Sequence, residues 1–170
     1  IRPGAAGDER PGLLDAAGSL RDLTGSVRDI AGACLSRQSL DRLRMLDPET
    51  LPLLPPDTRL GPPVGGTRNV VAIGLNYADH AAETGAAIPS EPIVFNKAPS
   101  CIAGPNDDVI IPKSSAQTDW EVELAVVIGA YASYVHAHEA LDYVAGACIC
   151  HDPPERDFPM ERRGPWPKGN

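Results

Sequence analysis

The sequence predicts a mixed α+β fold built from short strands, brief helices and many turns. Three observations point there. Aromatic residues are only 5 % of the 170 residues, while glycine and proline number 16 and 18, a composition that cuts a chain into brief elements. The runs 69–74, 92–97, 119–129 and 146–152 are short apolar segments bounded by turn residues, which reads as strand. The stretches 39–46, 77–83 and 137–144 carry the capping and spacing signals of brief helices.

Composition narrows the function as well. With 42 % apolar residues the chain can build a core of one domain, or of a small lobe beside a larger one. A formal net charge of −8 with scattered Lys and Arg argues against a nucleic-acid backbone or an anionic membrane as partner. No run approaches the ~18 apolar residues of a membrane span. Cys34, Cys101, Cys148 and Cys150 are too few and too irregular for a disulfide framework. Cys148 and Cys150 stand closer than zinc-hairpin spacing and read as alternating positions of a buried strand. Free thiols suggest a reducing compartment, hence the cytoplasm. The opening Ile1-Arg2-Pro3-Gly4 is neither a signal peptide nor an initiator-methionine start, so the chain reads as a fragment or a processed product.

Residues 1–66 read as a small N-terminal lobe with a proline-rich connection. Two short strands, 11–15 and 18–23, flank a turn at Ala16, Ala17 and Gly18. A helix over 39–46 takes Ser39 as its N-cap and is limited by Pro48. Pro52, Pro55, Pro56, Pro62 and Pro63 stiffen the link to residues 67–170. There the strand 69–74 runs into a helix starting near Tyr77, which sets His80 and Glu83 three apart on one face. A carboxylate so placed orients an imidazole and raises its basicity, although a solvated surface pair has the same spacing. The strand 92–97 ends in Lys97, and 104–108 is turn chemistry. His136 and His138 read as surface residues rather than ligands.

The two-glutamate strand carries the sharpest signal. Alternation puts Glu121 and Glu123 on one side and Trp120, Val122 and Leu124 on the other. Paired carboxylates in a partly buried strand repel and lose hydration unless a proton or cation offsets them. A hard divalent ion such as Mg2+ is the natural offset, and Asp152, at the carboxyl end of another apolar strand, is a candidate third ligand. The wet face of an edge strand would show the same pattern.

Together, Gly74-Leu75-Asn76-Tyr77-Ala78-Asp79-His80-Ala81-x-Glu83, Phe95-x-Lys97, Gly104-Pro105-x-Asp107, Asp119-Trp120-Glu121-x-Glu123-Leu124 and Asp152-x-x-Glu155-Arg156-Asp157 resemble the fumarylacetoacetate hydrolase family. Residues 1–60 resemble the N-terminal lobe of its branch of 2,4-diketo-3-deoxy-sugar-acid hydrolases, ureidoglycolate lyases and acylpyruvate hydrolases. The resemblance implies a mixed β-roll with a small N-terminal lobe, residues 67–170 being the first part of the catalytic domain. It implies Mg2+ or Mn2+ at Glu121, Glu123 and Asp152, a His80–Glu83 dyad, a supporting, charge-stabilising Lys97, and a homodimer. In family chemistry the metal chelates the 1,2-dioxo end of a 2,4-dioxo acid, and the dyad activates a water that attacks the distal carbonyl. The C–C bond then breaks to leave a metal-stabilised enolate. Decarboxylation or isomerisation of oxaloacetate-like acids, and a truncated non-catalytic relative, are the alternatives.

The sequence departs from the family pattern in three places. His151-Asp152-Pro153-Pro154 stands where the family commonly has Asn-Asp-Val-Ser, which stiffens the loop and removes two N–H donors. Trp166-Pro167-Lys168-Gly169-Asn170 ends in Asn where relatives carry a second Lys. Family members continue beyond this point, so sheet edges are expected to lack partners and this stretch alone to be catalytically weak.

Overall fold

A computed structural model describes residues 1–113 and 115–154, and the architecture reported below is theirs. The α+β class holds: three two-stranded antiparallel ribbons are joined by short helices. Glu155, Arg156, Asp157 and the Trp166–Asn170 motif lie outside the described residues.

The first ribbon pairs β1 (Gly12–Leu14) with β2 (Leu20–Asp22), inside the expected ranges. Its turn is closed by Asp15, whose carboxylate accepts from the backbone N–H of Ala17 and Ser19 at 3.0 and 2.8 Å and from Arg21 Nε at 2.9 Å. That local capture is why Asp favours turns. Leu20 and Leu23, 6 % and 2 % exposed, form an apolar centre with the fully buried Pro3 and Pro11. The proline-rich segment does more than connect. Pro52 accepts from Asp22 N–H, Leu54 donates to Leu20, and Leu53 bridges Arg21. Prolines lack the N–H but keep the carbonyl, so an edge of this kind still pairs.

Helix α1 (Arg37–Arg44) begins one turn earlier than the Ser39 cap predicts. Ser36 is the cap: its hydroxyl oxygen accepts from the Ser39 N–H at 3.3 Å, and its own hydroxyl donates to Ser39 Oγ at 3.0 Å. With two serines a turn apart, the upstream one satisfies the first free N–H groups.

The second ribbon pairs β3 (Val70–Gly74) with β4 (Ile93–Lys97), from Val70 opposite Lys97 to Gly74 opposite Ile93. Helix α2 (Ala78–Thr84) lies in the connection between these strands. The third ribbon pairs β5 (Val122–Ile128) with β6 (Val144–His151). β5 is shorter than the expected 119–129, but pairing runs past its start: Asp152 N–H donates to the Glu121 carbonyl at 3.3 Å and Asp119 N–H to the Pro154 carbonyl at 3.1 Å. The 3-10 turn over Ala137–Tyr143 replaces the expected brief helix, with exposed His136 and His138 stacked 5.6 Å apart at its start.

The two faces of the third ribbon differ in an instructive way. Glu121, Glu123, Ala125 and Val127 are half-buried, while Val122, Leu124, Val126 and Ile128 are exposed. The acids therefore sit on the covered face, and the wet-face alternative does not describe them.

Candidate active site

Strand register assembles the carboxylates. Val122 opposes His151 and Glu123 opposes Cys150, which sets Glu121 across from Asp152 through the backbone hydrogen bond between them. Opposed residues in an antiparallel pair share a face, so Glu121, Glu123, Cys150 and Asp152 line one side of the ribbon. Pro153 and Pro154 do not break this geometry, because the pairing at Pro154 uses the carbonyl that proline retains.

Lys97 meets this face from β4. Its side chain is only 7 % exposed, and its Nζ lies 2.5 Å from Asp152 Oδ1. Lys97 is the buried charged residue among those described. A buried ammonium is strongly unfavourable without an anion, and the short charge-assisted bond provides one. The Phe95 ring, two residues back on β4, lies 5.8 Å from the same nitrogen.

Two neighbours on or beside this face, Cys150 and His151, are not assigned to the site by the sequence. Burial, then the nearby Asp152 carboxylate, pushes the Cys150 thiol above its ordinary range, so it stays protonated and poorly nucleophilic. His151, exposed at the end of β6, sets Nδ1 3.1 Å from the Glu121 carbonyl oxygen. The sequence signals for His151 are a polar residue closing an apolar strand and its place beside Asp152 where the family commonly has Asn.

His80 and Glu83 lie elsewhere, on α2. The chain enters this helix through Leu75 in the left-handed region, φ 45°, a conformation that costs about 1–2 kcal/mol for a side chain with a Cβ. It leaves through Gly85, φ 67°, where glycine meets no such penalty. Ala81 packs inward at 2 % exposure, so His80 and Glu83 are turned outward and exposed. The spacing is as expected, but no hydrogen bond or ion pair joins the two side chains, nor either of them to the carboxylate face, among the described residues. The structure thus sets Glu121, Glu123 and Asp152 on one face of the ribbon, pairs Lys97 with Asp152, and leaves the dyad as two neighbours on a helix surface.

Arg59 and Asp107 are a further pair missing from the sequence-based site. Asp107 belongs to the Gly104-Pro105-x-Asp107 motif, and its carboxylate accepts from Gly104 N–H at 2.7 Å and from Arg59. The motif is therefore an anchor for the loop leading toward β5.

Among the described residues, no three His, Cys, Asp or Glu side chains converge as a ready cation cage. The donor chemistry on the covered face nevertheless fits a hard divalent ion: three carboxylates share it, and a buried ammonium already serves as counter-charge to one of them. No helix among the described residues is long and apolar enough to cross a membrane.

The chain is similar to known proteins along most of its length. Residues 69–170 match the family described as fumarylacetoacetate (FAA) hydrolase, C-terminal. A protein of Burkholderia cenocepacia (strain HI2424) with a provisional hydrolase name is 54 % identical over 169 residues, 99 % of this chain and 60 % of that protein. Among solved structures, the fumarylacetoacetate hydrolase of Exiguobacterium antarcticum aligns with a TM-score of 0.75 at 30 % identity, over 99 % of this chain and 60 % of its own. A probable 2-hydroxyhepta-2,4-diene-1,7-dioate isomerase from Mycobacterium abscessus aligns with a TM-score of 0.71 at 29 % identity, covering 94 % of this chain and 55 % of its own. The chain thus spans 60 % of the length of the curated Burkholderia relative.

Proposed function

Because the chain belongs to the fumarylacetoacetate hydrolase family, we propose that it serves a metal-dependent hydrolase that cleaves a carbon–carbon bond in a 2,4-dioxo acid of the acylpyruvate or diketo-deoxy-sugar-acid type. The observation that carries this reading is the register that puts Glu121, Glu123 and Asp152 on one covered face. A Mg2+ or Mn2+ ion held by these three carboxylates would supply Lewis acidity toward the substrate's adjacent oxygens.

The chain's own residues divide the remaining work. His80, exposed on α2, takes a proton from water as that water adds to the distal carbonyl. Glu83, one turn on along the same helix, would accept the imidazole's other N–H and hold its tautomer. When the C–C bond breaks, its electron pair passes to the pyruvate-side carbon, and His80 returns the proton there. Lys97 adds positive charge to a face on which negative charge develops.

A second reading, isomerisation, is favoured by the neighbour named as an isomerase. Incubation of a simple acylpyruvate with the full-length protein and Mn2+ separates the two. Loss of the diketo absorbance with formation of pyruvate and a carboxylic acid is expected. Absorbance change without pyruvate would replace hydrolysis by isomerisation.

A further inference from the structure

We propose that Lys97 is a positioning residue for Asp152: its buried ammonium holds Oδ1 of that carboxylate and so presents the rest of the group to a divalent cation. The inference rests on the reading of the carboxylate face given above.

The argument starts from topology. The β3–β4 and β5–β6 ribbons share no ladder among the described residues, so nothing in the backbone pairing fixes one against the other. Lys97 closes β4 and Asp152 follows β6, 55 residues later, and their side chains meet at 2.5 Å. The pair therefore links the unit that carries α2 to the ribbon that carries the carboxylates. Lys97 is 7 % exposed and Asp152 25 %, so the ammonium is enclosed while the carboxylate stays partly open. Asp152 Oδ2 accepts no hydrogen bond among the described residues. One oxygen is held and the other is left available, which is how partners behind a ligating carboxylate orient it. Were Lys97 merely a structural ion pair, its loss would lower stability and leave cation affinity in the folded protein unchanged. Were it a competitor for Asp152, its loss would tighten cation binding. Positioning predicts the opposite sign.

The test is a double-mutant cycle with Mn2+ alone as the probe, read by calorimetry on the full-length protein: wild type, Lys97→Met, Asp152→Asn and the double variant. Lys97→Met is expected to weaken Mn2+ binding ~10- to 100-fold, the usual effect of losing a partner behind a metal ligand. On the Asp152→Asn background the same change is expected to add nothing, because the two residues act as one unit. If Lys97→Met does not fold, Lys97→Gln, which keeps an N–H donor, runs the same cycle with a smaller loss. Unchanged or tighter binding in the single variant, or a full loss repeated on the Asp152→Asn background, overturns the positioning role while the carboxylate site stands. A wild type that binds no Mn2+ overturns both.

Discussion

Arg59 and Asp107, 48 residues apart, form a two-point ion pair, Nε to Oδ1 at 2.7 Å and Nη2 to Oδ2 at 2.6 Å. The same guanidinium donates to Glu9 at 3.1 Å and to the Gly4 carbonyl at 3.0 Å. One side chain thus ties the first segment of the chain and the segment before Leu60 to the loop that leads toward the two-glutamate strand. Bidentate geometry makes this pair stronger than an ordinary surface contact, although partial exposure of both groups tempers it. Asp107→Asn, which keeps the acceptor for Gly104 N–H but removes the charge, is expected to lower the thermal midpoint by a few degrees. Asp107→Ala is expected to lower it further, as followed by circular dichroism.

Gly104 offers a sharper steric test of the same junction. A Cβ there would run into the Leu60 carbonyl oxygen and lie 2.9 Å from Asp107 Oδ2. The obstacle is backbone, which cannot swing aside. Gly104→Ala is expected to destabilise by about 1–3 kcal/mol in urea unfolding, the usual range for overpacking.

The junction also sets an acid limit. Hydrogen bonding to Arg59 holds the carboxyls of Asp107 and Glu9 below their ordinary values. A carboxylate whose folded value is depressed contributes stability that is present above its unfolded value, about 4, and is lost as pH falls through the folded value. The thermal midpoint should therefore hold steady from pH 7 to about 5 and fall below about 4. Asp107→Asn should show a shallower acid decline than the wild type.

Much of this was legible in the sequence because it is local. Alternation located β5 and β6, the Ala16-Ala17-Gly18 turn located the first ribbon, and the strand-to-helix change at 74–78 located α2. What failed was also physical. Ser36 and Ser39 are equivalent caps by residue type, and only the fold shows which hydroxyl meets a free N–H. Alternation separates two faces of a strand but does not say which one is covered, so the half-buried state of Glu121 and Glu123 had to be seen. The Lys97–Asp152 and Arg59–Asp107 pairs span 55 and 48 residues and leave no periodic trace. His80 and Glu83 show that helical spacing permits a contact without making it.

That separation bears on catalysis. His80→Ala in an active full-length protein is expected to lower turnover at least ~100-fold, the contribution of a positioned base. Mn2+ affinity should stay unchanged, since among the described residues no hydrogen bond or ion pair joins His80 to the carboxylates. Unaltered turnover would return the histidine to the solvated surface.

The Cys150 thiol reports on the same face. Half-buried, with its acidity suppressed by burial and by Asp152, it should react with iodoacetamide more slowly at neutral pH than the exposed Cys101. Peptide mapping of a labelling time course checks the order of the two sites.

The central claim is that the covered face of the β5–β6 ribbon is a divalent-cation site. Calorimetric titration of Mn2+ into the wild type and into Glu123→Ala tests it most directly. The account predicts binding to the wild type and its loss in the variant, with the fold retained by circular dichroism. Equal Mn2+ affinity in the two proteins would contradict it.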